Sequence, residues 1–437
     1  MKLLQSLNEE QKQAVISEDR ALLVIAGAGS GKTRVLVSRA AYLMEQMNIS
    51  PGEFMAVTFT NKAAKEMKAR LSTLTGRDML RMWIGTFHAL CSRILRMEKN
   101  YIPFEDNFLI YDGADSRSLI KKIIAFFQLD EKKYTYQGML SAISDAKNKL
   151  QTPQIVAADA ANEWQETLAK VYAEYQKRLR ANNALDFDDL LVQTVYLLQN
   201  NPVVLNKYQQ RFKHILVDEY QDTNHCQYRL IRLLTGEQGN IFVVGDPDQS
   251  IYGWRGADIR NILDFEKDFP QCRVIKLVRN YRSSQNILDA ANHLIANNKD
   301  RKPKDLITAN EPGSKLLFYT SENDKEEARF VVNHLTELLR EDYNYKDCAV
   351  LYRTHAQSRL FEDQCIKYGI PYRVFGGTRF YERKEIKDSL AYLRLVANPF
   401  DGESLSRIYN EPKRGIGKTT WDRLLQISRE QNISLYQ

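Results

Sequence analysis

The sequence predicts an α/β fold: a parallel sheet with helices on both faces, broken by a helical insertion and followed by a second α/β block. Three observations predict it. Strand-like apolar runs alternate with helical patterns at the start of the chain, an order that calls for parallel strands. One such run, "ALLVI", enters a Gly-rich stretch, "AGAGSGKT", at residues 26–33. From about Asp112 to Gln199 long helical patterns replace the strands, which then resume.

Each element follows in order. "ALLVIAG" reads as a buried strand, Lys32 to Met47 as a helix, "EFMAVTF" as a second strand and Asn61 to Leu71 as a helix. The insertion carries "ADSRSLIKKIIAFF" and "EWQETLAKVYAEYQKRLRA". "HILVDEY", "NIFVVGD" and "CRVIKLV" complete the sheet from the far side of it. A second block opens near Ser284 with the helix "SQNILDAANHLIANN" and a basic turn, "KDRKPKD", read as a solvated loop. The strands "KLLFYT", "CAVLYRT" and "YRVFGG" follow, and a helical segment opens at about Lys384. The expected domains are residues 1–111 with 200–283, the insertion 112–199, a second α/β domain 284–383 and a helical segment 384–437. The sequence stops at "ISLYQ" just after a helical pattern, from which a C-terminal truncation is expected.

Composition narrows the class. A chain of 437 residues fits two to four domains. Hydrophobic residues at 43% and charged residues at 27% are ordinary for a soluble protein, and no apolar run is long enough to span a membrane. The polar N-terminus is not a secretory signal. Cys91, Cys226, Cys272, Cys348 and Cys365 form no CxxC pair and read as reduced thiols of a cytoplasmic protein. A net charge of +7 permits an anionic partner without requiring one.

The chemistry concentrates at residues 26–33. Ala26, Gly27, Ala28, Gly29, Ser30 and Gly31 are small enough for backbone N–H groups to close on phosphate oxygens, and the helix dipole adds to the attraction. Ala26 stands where such loops usually begin with glycine. Lys32 would neutralise the β and γ oxygens, and the Thr33 hydroxyl would join a Mg²⁺ shell. A hydrolysing site also needs acids. "ILVDEYQDTN" supplies Asp218 for the metal and Glu219 to orient or deprotonate the attacking water.

Several motifs now align with a known family. "AGAGSGKTRVL", "AVTFTNKAAKEM", "GTFHALCSRILR", "ALDFDDLL", "VDEYQDTN", "VVGDPDQSIYGWRGAD" and "NYRSS" occur in this order, and "AVLYRTHAQSR", "GGTRFYERKEIKDSLAYLR" and "NEPKRGIG" extend the likeness through the chain. The sequence resembles superfamily 1 DNA helicases of the UvrD/Rep/PcrA group. The resemblance implies a RecA-like parallel-sheet motor domain with a helical insertion, then an incomplete second RecA-like domain and part of its own helical insertion. It implies ATP as nucleotide, with Gln11 reading adenine, Arg34 packing on the base and Tyr281 stacking on it. Gln249 would sense the γ-phosphate, and Arg282 would reach it across a cleft between the two α/β domains. Family members move 3′ to 5′ on DNA, in repair or replication.

The resemblance also implies a single-strand channel lined by Phe59, Tyr252 and Trp254, with Thr58, Asn61, Thr86, His88 and Arg255 nearby. Aromatics there would stack on bases without reading them. Phe87 divides evenly between core and channel. Arg255 would link the nucleotide site to the channel. "KRGIGK", residues 413–418, would touch duplex ahead of a fork, or serve only as a turn between helices. Expected partners are single-stranded DNA and its junction with duplex, with accessory repair or replication proteins around a monomer. Two segments of longer family members, resembling "TVHAAKG" and "ALTRA", are absent, so a module that binds ATP and single strand with little turnover stands as the alternative to a motor.

Overall fold

A computed structural model of the chain describes residues 2–437, except 106, 238, 300, 342, 376–383, 432–434, 436 and 437. Gly376 to Arg383 belong to the motif that begins "GGTRFYERK", and that part of it lies outside the described residues, as do the last two residues of the expected strand "YRVFGG". Contacts divide the chain into two compact units: Met1–Ser314 with Arg394–Ser406 and Lys418–Gln437, and Lys315–Leu393 with Arg407–Gly417.

The first unit is built on six parallel strands. Their order across the sheet is Trp83–Gly85, Phe54–Val57, His214–Val217, Asn240–Gly245, Ala21–Ala26 and Arg273–Leu277. Three of them precede the insertion in sequence and three follow it, so the sheet closes across the interruption as expected. Side chains alternate between two cores, the signature of a sheet covered on both faces. Leu23, Ile25, Val57, Ile215, Val217 and Val243 enter one core; Leu22, Val24, Ala56, Leu216, Phe242 and Val244 enter the other.

The insertion has its own core. Leu119, Ile120 and Ile123 of helix Gly113–Phe126 meet Met139 and Ile143 of Tyr136–Asn148 and Val171 and Tyr175 of Glu163–Ala181. The helix Phe187–Asn200 turns Leu190, Leu191, Val195 and Leu198 to the sheet's core instead. A buried ion cluster joins the two helical groups: Lys147 Nζ lies 2.6 Å from Asp186 Oδ2 and 2.8 Å from Asp189 Oδ1. Residues 394–406 dock on the insertion through Arg394 to Asp115 at 2.8 Å and through the Tyr111 hydroxyl, which donates to Asp401 at 3.0 Å.

In the second unit the helices Asp324–Leu338 and Ser358–Lys367 pack through Val332, Cys365 and Ile370. The expected strands "KLLFYT" and "CAVLYRT" join no ladder among the described residues, nor do residues 372–375 of "YRVFGG". Phe318 is 91% exposed and Leu351 93%. An apolar run marks a chain fit for a sheet interior, but a strand exists only where a neighbour takes up its N–H and C=O groups.

Candidate functional site

The expected nucleotide residues gather at the carboxyl ends of adjacent strands, where open parallel sheets bind ligands. The strand Ala21–Ala26 runs into a turn closed by the Ser30 hydroxyl, which donates to the Gly27 carbonyl at 2.7 Å. Gly29 and Gly31 have φ of +66° and +88°, which explains glycine at both positions. Gly31 precedes helix Lys32–Gln46 without a side-chain cap, so its first-turn N–H groups stay available to an anion.

Five side chains meet above this loop. Lys32 Nζ lies 3.0 Å from Glu219 Oε2 and donates to Gln249 Oε1 at 3.1 Å. Thr33 Oγ1 lies 3.1 Å from Asp218 Oδ2. Burial first, and the Glu219 charge second, push the Asp218 carboxyl up to about 6, against the opposing pull of Lys32 and Thr33. Glu219 sits in left-handed backbone at φ +50°, uncommon for a non-glycine residue. Gln221, to which the sequence attached no role, spans this corner. Its amide nitrogen donates to Glu219 Oε2 at 3.0 Å, and its oxygen accepts from the Asp246 backbone at 2.9 Å. Asp218 and Thr33 present hard oxygen donors side by side, a donor set that fits Mg²⁺.

The remaining expected nucleotide residues frame the loop. Gln11 is buried; its amide donates to the Ser30 carbonyl at 2.9 Å and accepts from the Asn8 backbone at 3.1 Å. Arg34 donates to the Ser6 carbonyl at 2.7 Å. Tyr281 is half-exposed, with its hydroxyl accepting from Asn8 at 2.9 Å and its backbone N–H donating to Gly29 at 3.0 Å. Arg282 is exposed, and a side chain at Gly29 would meet its Cβ at 2.8 Å. The sequence expected this arginine across a cleft between two α/β domains. It lies beside the loop, within the same compact unit. Strand Arg273–Leu277 pairs with the loop's own strand, so the chain leaving it passes over Gly29.

A cavity of about 890 Å³ opens beside this cluster, still within the first unit. Thr58, Phe59, Thr86, Phe87, His88, Tyr252, Trp254 and Arg255 line it. Asn61, exposed in the first turn of its helix, is not among the lining residues. Phe59 stacks on Tyr252 with ring centroids 4.8 Å apart, and the Arg255 guanidinium lies 4.5 Å from the Trp254 ring. Trp254 is 63% exposed, whereas Phe87 is buried in the sheet's core and only touches the cavity. Burial lowers the pKa of His88 against the opposing charge of Asp186. Thr86 also caps helix Phe87–Met97.

The opposite wall comes from the insertion, which the sequence did not connect to the site. Ser141, Asn148 and Trp164 line it. Asn148 also accepts from Asn224 at 2.7 Å, tying that wall to the helix after the acidic strand. Phe187, inside the quoted "ALDFDDLL" but given no role, is half-exposed and meets His88 edge-on at 5.8 Å. Asp222 lines the cavity too, and burial followed by the Glu219 charge raises its carboxyl to about 6. Periodicity marks which helix face is buried, not which other face a cavity will meet.

Comparison with known proteins bears on this arrangement. The family model described as UvrD/REP helicase N-terminal domain matches residues 7–270, and the UvrD-like helicase C-terminal domain matches residues 275–437. The chain is 48% identical over 434 residues to proteins named ATP-dependent DNA helicase PcrA from Staphylococcus epidermidis and from Staphylococcus aureus. Each match takes in 99% of this chain and 60% of the relative, so the chain spans less than two thirds of the relatives' length.

Proposed function

The chain belongs to the UvrD/Rep helicase family, and from that premise we propose that it hydrolyses ATP to drive movement along single-stranded DNA and to unwind duplex. One observation carries the reading: a single turn touches both candidate sites. Gln249 accepts from Lys32 at 3.1 Å, and three residues later Tyr252 stacks on Phe59 in the cavity wall. A change at the phosphates that moves Gln249 is thereby felt by the aromatics.

The roles follow from chemistry. Residues 26–31 would cradle the phosphates with backbone N–H groups, Lys32 would meet the β and γ oxygens, and Gln249 would contact the γ-phosphate or the attacking water. Glu219 would orient that water and accept its proton. Thr33 and Asp218 would hold Mg²⁺, which supplies charge neutralisation of the phosphate oxygens when bound. Arg282, close to Gly29, would meet charge developing on the γ-phosphate, a contribution of roughly a thousandfold or more in comparable sites. Tyr281 would stack on adenine. Gln11 would read its edge only by exchanging a contact it now makes within the protein. Phe59, Tyr252 and Trp254 would stack on bases, with Thr58, Thr86, His88 and Arg255 around them and Asn61 just outside. Movement would run 3′ to 5′ from a junction of single strand and duplex, by a monomer working in cytoplasmic DNA repair or replication.

Steady-state ATP hydrolysis with and without single-stranded DNA tests the reading, followed by strand displacement on duplexes tailed at the 3′ or 5′ end. Stimulation by single strand, and unwinding from 3′ tails, are expected. Binding of both ligands with no stimulation would reduce the chain to a binding module.

A further inference from the structure

In the basic turn "KDRKPKD", expected to be solvated, Lys299, Pro303 and Asp305 are exposed, but two cations are not free in water. Lys304 is buried, its Nζ 2.7 Å from Asp246 Oδ1 and 2.5 Å from Asp248 Oδ2. Arg301 grips Asp248 with two nitrogens, at 3.0 and 3.2 Å, and also donates to the Lys304 carbonyl at 2.8 Å. Two cations therefore enclose two carboxylates, with every side chain at most 13% exposed. These are the acids of "GDPDQ", the turn that ends in Gln249. Inside that turn, the Gln249 N–H donates to the Asp246 carbonyl at 2.9 Å and the Asp248 N–H to the Asp246 carboxylate at 3.1 Å.

The clamp and the nucleotide corner share the same atoms' neighbours. Asp246 is fixed from behind by Lys304 and from the front by Gln221, whose amide also holds Glu219. The same segment packs on the phosphate loop: a side chain at Gly27 would meet Leu306 Cδ2 at 2.0 Å, and the Leu306 backbone both donates to and accepts from the Asn292 side-chain amide. Surface ion pairs hold little, but removing one member of a buried cluster leaves the others charged and unpaired, so the geometry is strongly enforced.

The geometry points to Arg301 and Lys304 as positioning residues that hold the 246–249 turn so that the Gln249 amide stays on Lys32. This rests on the ATPase reading above and extends it to two residues some fifty positions away in sequence, whose side chains hold Asp246 and Asp248 rather than any expected nucleotide or metal ligand.

Two measurements on the full chain test it. The first is amide hydrogen exchange, which needs no turnover. In Lys304→Met, exchange at residues 246–250 is expected to rise at least about tenfold while the strand Ala21–Ala26 keeps its protection. The second is strand-stimulated ATP hydrolysis. Lys304→Met is expected to lower kcat roughly tenfold to a hundredfold, with KM for ATP within about threefold, because misplacement of a contacting group costs turnover rather than binding. In a Gln249→Ala background the same substitution is expected to cost less than about threefold more, since both act through one amide. Unchanged exchange at 246–250, or full additivity with Gln249→Ala, would overturn the proposal. Should Lys304→Met fail to fold, Asp248→Asn loosens the same clamp from its more exposed side and is read by the same criteria. A parent chain without ATPase activity would count against the ATPase reading, while the exchange result still judges the clamp.

Discussion

Lys32 Nζ and Glu219 Oε2 stand 3.0 Å apart, so the cation of the phosphate loop is neutralised by the residue expected to act as base. The pair lies at the mouth of the site, with Glu219 one-third exposed, where such a contact is worth up to about 1 kcal/mol.

Nucleotide must break that pair, and this gives the first prediction. Glu219→Gln is expected to lower ATP hydrolysis about a hundredfold or more by removing the proton acceptor. It is also expected to bind ATP as tightly as the parent or up to about fivefold more tightly, because Lys32 is released. Lys32→Ala is expected to lose both binding and turnover. Equilibrium titration with a fluorescent ATP analogue, beside turnover rates, checks the contrast.

Asp218 makes stability depend on pH. Burial and the Glu219 charge raise its carboxyl to about 6 in the folded chain, from 3.8. Below about pH 4 both states hold the proton and its contribution is fully present; as pH rises through 6 the unfolded chain has released its proton more readily, and the contribution is lost. Asp218→Asn cannot ionise and keeps its bond from Thr33. It is expected to be more stable than the parent at pH 8 by up to about 3 kcal/mol, and no more stable below pH 4. Urea unfolding at the two pH values measures this.

Trp254 separates strand binding from folding. Being 63% exposed, its truncation to alanine is expected to change unfolding free energy by less than about 0.5 kcal/mol. Loss of one stacked base weakens binding of an oligonucleotide by roughly 1–3 kcal/mol. Phe59→Ala, which also removes the stack on Tyr252, is expected to cost at least as much. Fluorescence anisotropy of a labelled single strand reads both.

Lys147 is the converse case, a structural cation. Its ammonium is wholly buried between Asp186 and Asp189. Lys147→Met keeps the volume but leaves two carboxylates unpaired, and is expected to destabilise the first unit by about 3–5 kcal/mol. Thermal unfolding followed by circular dichroism checks it.

Legibility in the sequence followed the range of the interactions. The convergence of Lys32, Thr33, Asp218 and Glu219 could be expected because a strand end, a small-residue turn and a helix start are local patterns. The parallel sheet was legible for the same reason, down to its closure across the insertion. Lys304 was not: a Lys-Arg-Pro run looks alike whether water or two aspartates surround it, and its partners lie 56 and 58 residues away in sequence. Asn148 and Trp164 were missed because helical periodicity says nothing about a facing cavity. Residues 315–320 read as a strand from their own apolar pattern, which cannot supply the neighbouring chain a ladder needs.

The most direct test of the central claim is a crystal structure of the chain with Mg²⁺ and a non-hydrolysable ATP analogue. The expected result is one triphosphate on residues 26–33, with Lys32 drawn from Glu219 to the phosphate oxygens, the metal at Thr33 and Asp218, and Arg282 turned onto the γ-phosphate. A nucleotide seated elsewhere, or an Arg282 directed away from the phosphates, would contradict it.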